Sequence, residues 1–200
     1  MSLLSDVKGK NVLDAGCGPG AYTEWLLENG ATVTSVDYSE EMLSCVERKV
    51  GNKARILRAN LNNTLDFFED EEFDTIVSSM TLHYLSDWRV VFNEFSRIIR
   101  KNGELVFSLH HPFMDYQFHP EGNYYETELV EDNWPAYGIR MKYYRRPLSD
   151  VFKILSETEF GFEELLEPLP LEECKRKFPD AYATLSRRPW FICFKAVRKN

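Results

Sequence analysis

Apolar positions along the chain follow two alternating rhythms. Val12-Leu13, Thr32 to Val36, Ala54 to Ala59, Phe73 to Met80 and Glu104 to Leu109 are short apolar or β-branched runs, each bounded by glycine, asparagine or acid. That pattern predicts strands. Between the runs, apolar residues return every three or four positions: Tyr22, Trp25 and Leu26, then Met42, Leu43 and Val46, then Trp88, Val91, Phe92, Phe95, Ile98 and Ile99. The last group has Arg89, Glu94, Arg97 and Lys101 on the opposite side, as an amphipathic helix requires. Asn29-Gly30 predicts the end of the first helix, and Ser39 the N-cap of the second, with Glu40 and Glu41 in its positive first turn. Lys101 to Gly103 predicts the end of the third helix, just before the strand at 104. Strand and helix alternating in this way predict a parallel sheet with helices on both faces. Right-handed crossovers then bring all strand C-terminal ends to one edge, where Asp14, Asp37, Asn60, Ser79 and His110 are expected to gather.

The rhythm stops at His111. Residues 111–145 hold nine aromatics, Phe113, Tyr116, Phe118, Tyr124, Tyr125, Trp134, Tyr137, Tyr143 and Tyr144, with no dominant period. So many aromatics argue against disorder, so the stretch is expected to form a lid or small subdomain. Helix and strand return over 147–168, a helix interrupted at Pro179 is predicted for 171–188, and residues 189–197 read as a final strand pairing antiparallel. The whole is expected to be one domain, residues 1–200, with 111–146 inserted after the fifth strand as a lid that binds substrate.

Composition narrows the partners. The net charge of −8 disfavours a nucleic-acid backbone as main partner. No apolar run reaches membrane-spanning length and no signal peptide opens the chain, so a cytoplasmic protein is expected. Four scattered cysteines, Cys17, Cys45, Cys174 and Cys193, lack the spacing of a metal or redox pair and read as free thiols. His110, His111, Asp115 and His119 have no regular ligand spacing, so no metal is expected. The run Glu69 to Glu72 reads as a solvated loop; the basic cluster Arg140, Lys142, Arg145 and Arg146 could neutralise an acidic substrate, but pairing with Glu126, Glu128 and Glu131 is the favoured reading.

The chemistry concentrates in residues 14–37. Gly16, Gly18 and Gly20 lie within five residues, between a strand and a helix, where backbone N–H groups are free and a ligand can approach closely. Gly16, Gly18 and Ala21 satisfy the loose dinucleotide pattern, with Asp37 at about the expected distance, so a nicotinamide oxidoreductase is one reading. Asp14 at the mouth of the turn would repel a pyrophosphate, Gly20 is surplus to that pattern, and no Tyr-x-x-x-Lys pair occurs. A ligand with a cationic end and a ribose suits two flanking acids better. Asp14 would favour the cation, and Asp37 would accept from both ribose hydroxyls.

The segments VLDAGCGPG, VTSVDYSEEML, RANL, FDTIVSSMTLHYL and IIRKNGELVFSL together resemble the successive signatures of class I S-adenosylmethionine-dependent methyltransferases, most of all the small-molecule branch. The resemblance covers about residues 10–110 and implies a Rossmann-like three-layer αβα sandwich. Its mostly parallel seven-stranded sheet would have order 3-2-1-4-5-7-6, with the last strand antiparallel. It implies S-adenosyl-L-methionine as cofactor. Asp14, Gly16, Cys17 and Gly18 would hold the methionine end, Asp37 the ribose diol, and Tyr38 and Met42 would lie beside the adenine. Asn60 and Leu61 would touch the adenine edge, and Ser79 and Met80 the methionine moiety. Many relatives carry Asp at the Asn60 position to accept from the adenine amino group; an Asn oxygen accepts too, without charge. Relatives also have helix before the first strand that often covers the cofactor. Here that strand begins at residue 11, so either the chain is shortened or 111–145 does the covering. The implied activity is methyl transfer to a small-molecule acceptor by a monomer or homodimer, with no nucleic-acid or membrane partner. His110, His111 and His83 are the candidate general bases. A protein that binds S-adenosylmethionine or S-adenosylhomocysteine without catalysis is the other alternative.

Overall fold

The computed structural model describes residues 3–134 and 139–199. Among them, β1 (Asn11–Ala15), β2 (Thr32–Asp37), β3 (Arg55–Arg58), β4 (Phe73–Ser79) and β5 (Ile99–His110) run parallel, joined by α1 (Ala21–Glu28), α2 (Glu40–Val50) and α3 (Arg89–Ile98). After β5 come α4 (Pro112–Phe118), β6 (Glu128–Trp134), β7 (Ile139–Arg145), α5 (Leu148–Glu157), β8 (Phe160–Leu166), α6 (Glu172–Lys177), α7 (Pro179–Leu185) and β9 (Phe191–Arg198). The main sheet has the order β3-β2-β1-β4-β5-β9-β8, with β9 antiparallel to both neighbours. This is the seven-stranded αβα topology expected from the sequence. No described helix is long and apolar enough to cross a membrane.

Period-two alternation sends successive residues of each strand to opposite faces, and both faces are buried. Val12, Val33 and Val77 pack under α1 through Leu26, with Leu43, Val46 and Val50 of α2 alongside. Their neighbours Leu13, Val36 and Ile76 face the other way, onto Val91, Phe92 and Phe95 of α3 and Val151 and Leu155 of α5. Ser39 caps α2, its Oγ accepting from the N–H of Met42 at 3.3 Å.

The joint between α3 and β5 departs from expectation. The helix ends at Ile98, and Ile99 already pairs with Phe73 before the register jumps to Thr75 opposite Glu104. Lys101 to Gly103 therefore belong to an irregularity inside the strand. Asn102 has φ 61° there, and a Cβ on Gly103 would meet Ile99 Cγ1 at 2.7 Å.

Residues 111–145 are also more regular than their sequence suggests. They hold α4 and an antiparallel pair, β6 against β7, in register from Glu128 opposite Arg145 to Trp134 opposite Ile139. The strand pattern is hidden because these faces alternate charge more than hydrophobicity. Cross-strand ion pairs join Glu128 to Arg145 at 2.6 Å and Glu131 to Lys142 at 2.7 Å, and Arg140 also pairs with Glu131. Glu126 instead takes the amide of Asn123. Arg146 departs from the expected pairing: its guanidinium lies 3.9 Å from the Trp88 ring centroid and donates to the Leu85 carbonyl at 2.6 Å. The acidic loop before β4 is exposed but tethered, Asp70 to Arg97 at 2.8 Å and Glu72 to Arg55 at 3.2 Å.

Candidate active site

Four strand ends converge on the glycine turn. The chain leaves β1 with Gly16 and Cys17 both donating to the Val36 carbonyl, at 2.8 and 3.0 Å, which ties the turn to the end of β2. Gly16 adopts φ +78°, and a Cβ there would lie 2.2 Å from Thr81 Cγ2, so both conformation and space demand glycine. Thr81 holds the opposite wall, its Oγ1 within 3.0 Å of the carbonyls of Gly16 and Ser79. Gly18 donates to Asp37 Oδ2 at 2.9 Å, and the N–H of Ser39 donates to Oδ1 at 2.9 Å. Each carboxylate oxygen of Asp37 thus keeps acceptor capacity for one further donor. At the end of β4, Met80 takes φ 53°, a strained value for a long side chain. Its N–H is held by Ser108 of β5, through the carbonyl at 3.1 Å and Oγ at 3.2 Å.

Asp14 is buried at 1 % exposure. Thr23 donates to its Oδ2 at 2.7 Å, and the Ser35 hydroxyl lies 2.8 Å from Thr23 Oγ1. Thr23 has one proton and gives it to the carboxylate, so Ser35 must donate to Thr23. Burial pushes Asp14 up to about 6; the Thr23 bonds oppose this, and the nearby Asp37 charge adds to it. Burial, then the charges of Asp14 and Asp37, also push the Cys17 thiol far up, so it stays protonated.

These groups border a cavity of about 780 Å³. All eleven residues singled out for the cofactor line it: Asp14, Gly16, Cys17 and Gly18 from the turn, Asp37, Tyr38 and Met42 after β2, Asn60 and Leu61 after β3, Ser79 and Met80 after β4. Others were not foreseen. Tyr22 comes from α1, Thr81, Tyr84 and Leu85 from the segment after β4, and Met141 from β7. Thr81, Tyr84 and Leu85 all stand inside the segment FDTIVSSMTLHYL already noted, whereas Met141 sits in a stretch with no motif.

The methyltransferase-domain family model matches residues 13–107, which include every residue lining this cavity but Met141. The malonyl-[acyl-carrier protein] O-methyltransferase of Hamiltonella defensa is 33% identical over 54% of this chain and 41% of its own length. The chain thus spans under half of that relative. A S-adenosylmethionine-dependent methyltransferase from Mesorhizobium loti superposes with TM-score 0.78 at 25% identity, covering 98% of this chain and 94% of its own. A candidate enzyme of the same description from Listeria monocytogenes reaches TM-score 0.86 at 23% identity, over 100% and 94% of the two chains. The methyltransferase-domain match and these solved structures support the class I S-adenosylmethionine-dependent methyltransferase family for this chain.

The chain's own residues fit such a cofactor at three points. A buried, desolvated Asp14 favours a cation beside it. Two acceptor positions remain on Asp37, one on each oxygen, matching a vicinal diol. Gly18 has open space where a Cβ would project, leaving room over the turn. At Asn60 the fit differs from expectation. Its Oδ1 already accepts from the N–H and Nδ2 of Asn62, at 3.0 and 3.1 Å. The oxygen is spent on the loop, so Asn60 has its Nδ2 left to offer, a donor suited to a ring nitrogen rather than an amino group.

None of the three candidate bases is among the residues lining this cavity. His83 is buried, stacked on His110 with ring centroids 4.4 Å apart, and Tyr143 meets both rings edge-on. Burial, then the neighbouring His110 and Arg146, hold His83 well below the usual imidazole range. His110 is lowered by burial as well and lies 3.6 Å from Asp115. His111 caps α4, its Nδ1 accepting from Phe113 N–H at 3.1 Å while Nε2 meets Glu167 at 2.9 Å. Nor do the described aromatic side chains of 111–145 line the cavity; Tyr116 pairs with Tyr124, and Phe118 with Trp190. Tyr137 and the side chain of Trp134 lie outside the described residues.

Proposed function

We propose that this protein transfers the methyl group of S-adenosylmethionine to a small organic acceptor. One observation carries the reading: the eleven residues expected to hold that cofactor, drawn from four separate strand ends, line a single cavity. Bound there, S-adenosylmethionine supplies a methyl group activated on cationic sulfur. The protein's task is then alignment and exclusion of water, and alignment alone can be worth up to ~7–11 kcal/mol. Asp14 attracts the cationic end, and the hydroxyl relay from Ser35 through Thr23 holds its carboxylate in place. Asp37 takes the ribose hydroxyls while the N–H groups of Gly18 and Ser39 fix its orientation. Tyr38 and Met42 stand open beside the adenine position. The β6–β7 hairpin, through Met141, acts as the lid over the far side, where the acceptor enters. The three histidines outside the cavity are given packing and capping work, not proton transfer.

Isothermal titration with S-adenosylhomocysteine is the test, followed by a turnover screen over small acceptors. Tight binding with turnover supports the proposal. Binding without turnover on any acceptor marks a non-catalytic binder. A melting temperature raised by NAD(H), and not by S-adenosylmethionine, overturns it in favour of an oxidoreductase.

A further inference from the structure

The cavity's charge says which acceptors it can take. Asp14 and Asp37 place two carboxylates in its wall, and no lysine, arginine or histidine is among the described residues lining it. Positions 135–138, outside the description, are Pro, Ala, Tyr and Gly and add no cation. The nearest basic side chains are committed elsewhere. Arg58 lies over the Tyr38 ring and pairs with Glu40 at 2.5 Å. Arg146 is held against Trp88 and the Leu85 carbonyl. Arg140 and Lys142 flank Met141 in β7, but strand alternation sends them to the opposite face, where both pair with Glu131.

Once the cofactor is seated, the bulky lining side chains it leaves are Tyr22, Tyr84, Leu85 and Met141. They are apolar or aromatic. Proton acceptors are scarce among them: burial raises the Tyr84 phenol, which therefore keeps its proton. Asp37 is bound to backbone N–H groups and Asp14 to Thr23.

Resting on the function proposed above, we propose that the acceptor is an uncharged, planar or apolar molecule whose nucleophilic atom already bears a free lone pair, such as an aromatic ring nitrogen. Carboxylate- and phosphate-bearing acceptors are rejected. An anion entering beside the seated cofactor meets apolar and aromatic side chains and no cation among the described side chains lining the cavity, so it loses hydration with only the cofactor's own sulfonium to offset the loss. A nitrogen lone pair forms the new N–C bond while the C–S bond breaks with its electron pair left on sulfur. The product nitrogen carries the positive charge, or releases to water any proton it bore. No protein base is required.

The test begins with S-adenosylhomocysteine titrated into the full chain; failure to bind there overturns the cofactor assignment itself, before any acceptor is added. Quinoline and 2-naphthoate, fused-ring probes of similar size, are then titrated into the saturated complex at neutral pH. Quinoline is expected to bind at least about tenfold more tightly, about 1.4 kcal/mol. Met141→Lys, which adds a cation at the lid side, is expected to narrow or invert that preference while keeping S-adenosylhomocysteine affinity. If that variant loses cofactor affinity, Tyr84→Lys takes its place. Naphthoate binding as tightly as quinoline, no binding of quinoline, or an unchanged preference in a lysine variant that still binds S-adenosylhomocysteine overturns the proposal.

Discussion

Asp14 is placed where its charge costs the empty protein and, on the function proposed above, serves the loaded one. Burial raises its folded pKa to about 6, above the usual carboxylate value of 3.8, so between these values the native state binds more protons than the unfolded state. Stability attributable to this group therefore falls as pH rises through that window, and above it the full penalty of roughly 2–3 kcal/mol applies. Asp14→Asn keeps an oxygen for Thr23 and removes the charge. At pH 7.5 it is expected to raise the melting temperature of the cofactor-free protein by several degrees, a gain that shrinks towards pH 4. The same variant should weaken S-adenosylhomocysteine binding, read by calorimetry. An unchanged affinity would detach Asp14 from the cofactor. Asp37→Ala removes two acceptor oxygens together, each such bond being worth ~1.5–3 kcal/mol at most. Cofactor affinity is expected to fall by more than about tenfold, with Asp37→Asn intermediate.

At the level of elements, the turn from β1 to α1 combines two different demands for glycine. Gly18 needs only its positive φ of +51°, since a Cβ there meets nothing. Gly18→Ala is thus expected to cost about 1–2 kcal/mol of stability. Gly16→Ala adds an overlap with Thr81 to its φ of +78°, and should cost clearly more, both measured by urea denaturation. His111 belongs to this scale as well. His111→Ala leaves the first turn of α4 uncapped and frees Glu167, so a loss of about 1 kcal/mol is expected with S-adenosylhomocysteine affinity unchanged. The β6–β7 hairpin rests on Arg145, whose guanidinium pairs with Glu128 and donates to the carbonyls of His119 and Glu121. A buried arginine with this many acceptors fixes the hairpin against the loop that precedes it.

For the whole molecule, two sets of carboxyls pull stability in opposite directions with pH. Burial lifts Asp14 to about 6 and Asp115 to about 7, so both favour the fold more as they take up protons below neutrality. Glu94 is lowered chiefly by its hydrogen bond from Arg97, and Glu104 is lowered by the Ser5 and Lys195 bonds that outweigh its desolvation; their contributions are lost as pH falls through the carboxylate range. The cofactor-free protein should therefore melt higher in mildly acidic buffer, near pH 5, than at pH 8, the gain from Asp14 and Asp115 being opposed at lower pH by the lost Glu94 and Glu104 bonds. Thermal melts across that range check this; a maximum above pH 7 would mean that neither aspartate is as desolvated as its burial implies.

What the amino-acid order settled by itself was local and periodic. Strand runs with period two and helices with apolar residues every three or four positions set the layers, and the glycine turn with its two acids marked the site. Each of these depends on neighbours within about twenty residues. What the tertiary structure alone decided depends on residues far apart in the chain. It buried Asp14 behind Thr23 and spent the oxygen of Asn60 on its own loop. It drew His83 and His110 into a stack under Tyr143, away from the cavity, and brought Met141 to the cavity wall. Burial and the direction of a side chain follow from what packs against it, and a linear order of residues does not carry that information.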